Sequence, residues 1–210
     1  MWLATIFVLP SDPSLQERAS EVTMEELVSE GMQKTIDGMM EIARGERGDV
    51  EKRVMVGLAG PQVGVMKRVI LVDVGVLSDR KNLGELRVYV NPEIVWQSEE
   101  MELDREGCFS VDSRVCGIVP RAKEIEIEAL DRFGNSVKEK LFGFTARIFQ
   151  HEVDHLEGIR FPDRVGPQGK LHWVEKEDFS EYRKNFENWP YTCPWETWMC
   201  MKQGEAWKHS

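Results

Sequence analysis

Two of the four histidines in this 210-residue chain stand four positions apart, with a glutamate beside the first, in the run Gln150-His151-Glu152-Val153-Asp154-His155. Positions i and i+4 share one face of a helix, so His151 and His155 can hold one metal ion while Glu152 lies beside the water that such an ion activates. A catalytic divalent site usually takes three protein ligands and keeps one position open. The third ligand must then come from another segment. The alternative is a helix that only displays two histidines, and it makes no demand on the rest of the chain.

Upstream lie Glu106-Gly107-Cys108-Phe109-Ser110 and, earlier, Gly57-Leu58-Ala59-Gly60-Pro61-Gln62-Val63-Gly64. Together with the histidine run, these segments resemble the three signatures of the peptide deformylase family: a GxGLAAPQ-like loop, an EGCLS-like loop and a QHExDHLxG helix, in that order. The third is matched at every signature position, from Gln150 through Leu156 to Gly158. The resemblance runs from Leu9-Pro10-Ser11-Asp12-Pro13 to about Val165. It implies that Cys108, His151 and His155 bind the metal, that Glu152 shuttles the proton, and that the Gln62 amide and the Phe109 N–H meet the oxyanion. It also implies that Val56, Gly57, Gly107 and Phe109 line the path of the substrate.

The implied reaction is metal-dependent hydrolysis of the N-formyl group from the formyl-methionine of newly made peptides. Transient ribosome contact would fit that task, in the cytoplasm or in an organelle. Fe(II) is the implied ion, with zinc, nickel or cobalt as other occupants. A thiolate ligand suits Fe(II) and zinc alike, and it exposes the site to oxidation. The chain departs from the family pattern at three places. Met55 stands where the first glycine is usual, Gly60 where the second alanine is usual, and Phe109 where leucine is usual. A methionine at 55 either narrows the cleft or turns into the core, so a related hydrolase with altered substrate choice stays open. So does a non-catalytic interaction protein of the same fold. A general HExxH endopeptidase leaves Glu106-Gly107-Cys108 without a purpose.

Composition is compatible with this chemistry. At 210 residues and 41% hydrophobic content the chain can build one well-packed domain with an extension. The formal charge of −10 argues against recognition of nucleic acid, which relies on clustered Lys and Arg. Cysteines at 108, 116, 193 and 200 are too sparse for a disulfide scaffold and favour a reducing compartment. The apolar opening Met1–Leu9 lacks a basic stretch and stops at Pro10, which reads as a short strand rather than a leader or membrane segment. No membrane association is expected.

The elements that must position these residues follow from periodicity. Thr23 with Glu26 forms a capping-box signal, and Val28, Met32, Ile36, Met39 and Ala43 recur at helical spacing, predicting one helix from about Met24 to Ala43. Gly45 to Arg53 reads as an exposed loop. Val69–Val72 is a buried-strand run, and Val88 to Trp96 reads as a pair of strands interrupted at Asn91-Pro92. Glu124–Ala129 alternates, and a turn at Asp131–Asn135 returns the chain through Val137–Phe142 as a hairpin. Thr145 is the candidate cap of the histidine helix and Gly158 its stop. Phe149, Val153 and Leu156 give that helix a core face. Cys116 reads as a buried strand residue, Cys193 and Cys200 as ordinary thiols, and His172 and His209 receive no site role. The expectation is an α+β fold with antiparallel sheets packed around a central metal-binding HExxH helix. Residues 1–165 form its deformylase-like catalytic domain. Residues 166–210, which carry Trp173, Trp189, Trp195, Trp198 and Trp207, form a C-terminal extension packed on that domain.

Overall fold

A computed structural model describes residues 6–46, 55–76 and 84–207. The chain enters through helix α1 (Met24–Leu27) and helix α2 (Glu30–Ala43), followed by strands β1 (Gly57–Ala59), β2 (Val69–Asp73), β3 (Leu86–Gln97), β4 (Met101–Glu106), β5 (Val115–Ala122), β6 (Glu124–Leu130) and β7 (Ser136–Phe142). Helix α3 (Gly143–Leu156) comes next. After it lie α4 (Phe161–Val165), β8 (Leu171–Trp173), α5 (Phe179–Asn185) and α6 (Trp195–Gln203). The strands form two antiparallel sheets, one ordered β1-β2-β3-β6-β7 and the other β4-β5-β8. The fold is α+β, as expected.

The unbroken apolar run of β2 has a direct cause, because both of its faces are covered. Ile70 and Val72 pack with Phe149, Leu156 and Ile148 of α3, while Val69 and Leu71 pack with Ile36, Met39 and Ile42 of α2. A strand buried on both sides loses the polar alternation of a half-exposed one. By contrast β6 alternates along its length, with Ile125, Ile127 and Ala129 buried and the glutamates between them outward. Helix α3 packs on β1 and β2 of the larger sheet and also reaches β5 of the smaller one.

Four expectations need correction. The helix read from Met24 to Ala43 is two helices, because Ser29 takes an extended conformation and begins α2. Its hydroxyl donates to the Glu26 carbonyl at 2.6 Å and accepts from Met32 N at 3.2 Å. The capping box of Thr23 and Glu26 is present, but the helix it opens lasts one turn and leaves Val28 exposed. At Asn91-Pro92 the chain forms one 12-residue strand with a register shift rather than two strands. Asn91 takes a positive φ of 48°, and its side-chain amide clasps the Val22 backbone at 2.9 and 2.8 Å, which holds the irregular turn of the strand in place. Thr145 lies inside α3, which begins at Gly143 directly from β7 and has no side-chain cap. Residues 6–9 of the opening segment form no strand, and residues 1–5 lie outside the described residues, as do most of the Gly45–Arg53 stretch and His209. The stop at Gly158 is present, with φ of 70°.

Residues 167–207 are bound tightly to the rest of the chain. Strand β8 completes the smaller sheet by pairing with β5, and Trp198 is fully buried with its indole N–H donating to Asp163 at 3.0 Å. Trp189 donates to the Trp173 carbonyl at 2.8 Å, and Trp173 stacks on Trp207 at 5.3 Å. Cys116 is buried on β5, and no cysteine is in a disulfide. Among the described residues no helix is long and apolar enough to cross a membrane.

Candidate metal centre and cleft

Helix α3 is registered against β5 by Gln150, whose amide accepts from Ala122 N at 3.1 Å and donates to Ala122 O at 2.9 Å. One helical position further on, His151 Nδ1 lies 2.8 Å from the Glu106 carboxylate, to which it can donate. Glu106 closes β4 and precedes the loop carrying Cys108. With the proton of His151 on Nδ1 toward the carboxylate, Nε2 keeps its lone pair for a metal. Cys108 Sγ lies 3.2 Å from His155 Nε2. Metal bonds of about 2.3 Å to sulfur and 2.1 Å to nitrogen would subtend roughly 3.6 Å at a tetrahedral centre. One ligand atom from each of Cys108, His151 and His155 lies within 4.8 Å of the others, a group able to hold one ion.

Charge is arranged to keep the sulfur ionised. Burial would raise the Cys108 thiol, but the facing His155 and His151 outweigh it and hold it well below its usual value. Ser110 N and the Gln62 amide both point at the sulfur, each at 3.4 Å. Burial would likewise raise Glu106, yet the hydrogen bonds of His151 and Arg121 keep it ionised. Arg121 grips Glu106 with two bonds of 2.9 Å, and Arg147 adds a third at 2.9 Å. Arg121 also reaches Asp154 at 2.5 Å, and Asp154 is held in turn by Arg164. This buried network joins β4, β5, α3 and α4. Removing Arg121, which bridges Glu106 and Asp154, would leave buried carboxylates short of a counter-charge.

Glu152 lies on the same helix, one residue from His151, and is buried. Burial raises its pKa to about 7. Its Oε2 has no hydrogen-bond partner. Space for the carboxylate exists because residue 57 is glycine: a Cβ there would come within 2.3 Å of Glu152 Oε1 and 2.8 Å of Ile148 Cγ2. Gln62 is also buried, and its Oε1 accepts from Ala59 N at 2.8 Å, which turns its NH₂ group toward Cys108.

These groups border a cleft of about 280 Å³. Of the residues expected at the site, Val56, Gly57, Gln62, Gly107, Cys108, Phe109, His151 and Glu152 line it, and His155 is buried beneath Cys108. Phe109 stacks on Phe7 at 5.2 Å, so the change from leucine is accommodated by an aromatic neighbour. Met55 borders the cleft but is only 5% exposed and packs in the core with Ile36, Met39 and Leu58. The supporting roles of Arg121, Arg147 and Asp154 were not foreseen in the sequence. Glu106 and Asp154 stood inside the quoted motifs, and that was the only signal available. Arg160 is a further such residue, fully buried and bonded to the carbonyls of Pro10 and Ser110 while its guanidinium lies 4.5 Å from the Trp198 ring.

Known proteins resemble this chain over most of its length. Over residues 4–171 the chain matches the polypeptide deformylase family. It is 41% identical over 167 residues to a peptide deformylase of Pelotomaculum thermopropionicum, covering 80% of this chain and 94% of that one. It is 35% identical over 173 residues to the chloroplastic peptide deformylase 1A of Solanum lycopersicum, of which it spans 59% while 77% of this chain is covered. Among solved structures, a Met-Ala-Ser-bound class I type b peptide deformylase of Acinetobacter baumannii superposes with a TM-score of 0.66 at 37% identity, covering 76% of this chain and 96% of that one. The peptide deformylase of Thermotoga maritima superposes with a TM-score of 0.64 at 35% identity, covering 77% and 97%. With the fold, the three segments and the converging cysteine and histidines all in agreement, this chain belongs to the polypeptide deformylase family.

Proposed function

We propose that Cys108, His151 and His155 hold a single divalent ion, and that Glu152 beside them drives hydrolysis of the formyl amide at the start of a new peptide. The chain is a hydrolase of the deformylase family, releasing formate from formyl-methionyl peptides. The observation that carries the assignment of residues is convergence: a thiolate and two imidazoles from separate segments meet beside a buried carboxylate whose free oxygen has no partner. In this reading α3 is the metal-bearing HExxH helix around which the sheets pack, within a catalytic domain of residues 1–165 extended by residues 166–210.

A bound ion supplies Lewis acidity toward the formyl carbonyl and toward water, and Fe(II) is the occupant we favour over zinc, nickel or cobalt. Glu152 accepts the proton of the attacking water and returns one to the departing amine, which is too basic to leave unprotonated. Burial raises the Glu152 pKa above the usual carboxylate range, the direction that helps a group to hold a proton before passing it on. The Gln62 amide and the Phe109 N–H donate to the carbonyl oxygen as charge develops there. Glu106 fixes the ring of His151. Gly57, Val56 and Gly107 leave room for the peptide backbone to approach. Formyl peptides reach the site by transient contact with the ribosome, in a cytoplasm or organelle where synthesis starts with formyl-methionine.

The test is formate release from formyl-Met-Ala-Ser, with unformylated Met-Ala-Ser as control, on protein purified without oxygen. Formate from the first peptide alone is expected, with turnover reduced at least a hundredfold in Glu152→Gln at equal metal content. Equal turnover by Glu152→Gln would remove the proton shuttle, and no formate from wild type would remove the reaction.

A further inference from the structure

Among the described residues that line the cleft, all but one fall inside the family match. The exception is Arg183 on α5, twelve residues past its end. The helix that carries it is firmly seated. Tyr182 is fully buried among Cys116, Val174, Phe179, Phe186 and Trp189, and its hydroxyl meets His172 at 3.1 Å. With Tyr182 turned inward, the next side chain is exposed and stands at the cleft.

The other arginines at the cleft are already engaged. Arg105 is tied to Asp104 at 2.8 Å and lies over the Phe186 ring at 5.7 Å, and Arg147 serves Glu106. Arg183 has no carboxylate partner among the described residues. A free guanidinium at the edge of a substrate cleft, in a chain of net charge −10, is placed against the prevailing sign. The same extension borders an adjoining hollow of about 340 Å³ that shares Gly107, Cys108 and Phe109 with the cleft and is walled by Glu175, Lys176 and Phe179. The groove over Cys108 therefore continues along the extension.

We infer that α5 completes the peptide groove and that Arg183 selects formyl peptides carrying a carboxylate downstream of the formyl-methionine. The inference rests on the deformylase reading of the site. The carboxylate can belong to an acidic side chain or to the C-terminus of a short peptide, since a guanidinium pairs with either. Arg183 acts on binding, away from the reacting atoms, so its effect belongs in KM. An exposed pair of this kind contributes up to about fivefold in affinity and weakens with salt.

The experiment measures kcat and KM for formate release at low ionic strength in wild type, Arg183→Ala, Arg183→Lys and Arg183→Glu. The peptides are formyl-Met-Ala-Asp and formyl-Met-Ala-Lys, both as C-terminal amides, and formyl-Met-Ala-Ser as free acid and as amide. Wild type is expected to prefer the aspartate peptide over the lysine peptide, or the free acid over its amide, by about two- to fivefold, which distinguishes the two sources. Arg183→Ala should lose that preference through KM, Arg183→Glu should invert it, and Arg183→Lys should retain it. An identical ranking in wild type and Arg183→Ala, with formate still released, would overturn the role of Arg183 and leave the deformylase reading intact. No formate from any peptide would overturn both.

Discussion

The carboxylate of Glu152 keeps its place because Gly57 has no side chain, so a change at Gly57 reaches the proposed base without touching it. Gly57→Ala should displace Glu152, because the added Cβ would sit 2.3 Å from its Oε1. Misplacement of a reacting group by about 1 Å can cost on the order of 10²-fold in rate. Turnover of Gly57→Ala should fall at least tenfold with metal content unchanged, measured by formate release and metal assay on one preparation; wild-type turnover would show that the carboxylate moves aside freely. Met55 answers a different question. Because it is packed in the core, Met55→Gly should cost roughly 2 to 5 kcal/mol of stability, read by chemical denaturation, with the ranking of peptide substrates preserved. A stable variant with a new preference for bulky peptides would return Met55 to the role of a specificity residue. Sequence spacing was enough to single out His151, Glu152 and His155 as candidates, whereas Cys108 was indicated only by the resemblance of its short motif to the family's. Neither signal could pair Glu106 with Arg121 and Arg147, or Asp154 with Arg164, because those partners meet only when β4, β5, α3 and α4 are assembled.

Elements were legible where a local pattern repeats and illegible where one tertiary contact overrides it. The two-faced burial of β2 and the alternation of β6 follow directly from the order of apolar residues. The break at Ser29 does not, since the apolar spacing runs straight through it and only the competing hydroxyl bonds interrupt the helix. The irregularity at Asn91 likewise depends on Val22, which is 69 positions away. Strand β8 carries an element-level consequence of its own. His172 is buried there, and burial, with Lys170 nearby, lowers its pKa to about 4 from a usual value of about 6.5. The fold prefers the neutral ring, so its contribution is complete above pH 6.5 and is lost as pH falls toward 4. Between pH 7.5 and pH 5 that loss is about 1 to 2 kcal/mol. In His172→Gln the drop in stability over the same interval should be smaller than in wild type by about that amount, by urea denaturation at both pH values. Equal drops would mean that His172 is not forced neutral.

At the scale of the whole molecule, two antiparallel sheets and α3 converge on one cleft, and residues 167–207 are part of that assembly rather than an appendage. Their tryptophans pack inward, β8 extends the smaller sheet, and Trp198 supports Arg160, which is bonded to the carbonyl of Ser110 next to the Cys108 loop. The sequence announced a packed tail through its tryptophans but not its approach to the cleft, because Arg183 has no motif to mark it. The family, the reaction class and the candidate ligands were all readable beforehand. The ion itself has no sequence signature, since thiolate and imidazole suit several metals. The most direct test of the central claim is an anaerobic titration of metal-stripped protein with Fe(II), following formate release from formyl-Met-Ala-Ser against bound metal. Activity should rise linearly and level off at one ion per chain, in step with occupancy. Full turnover before metal is added, or a plateau reached only at two ions per chain, would contradict a single centre held by Cys108, His151 and His155.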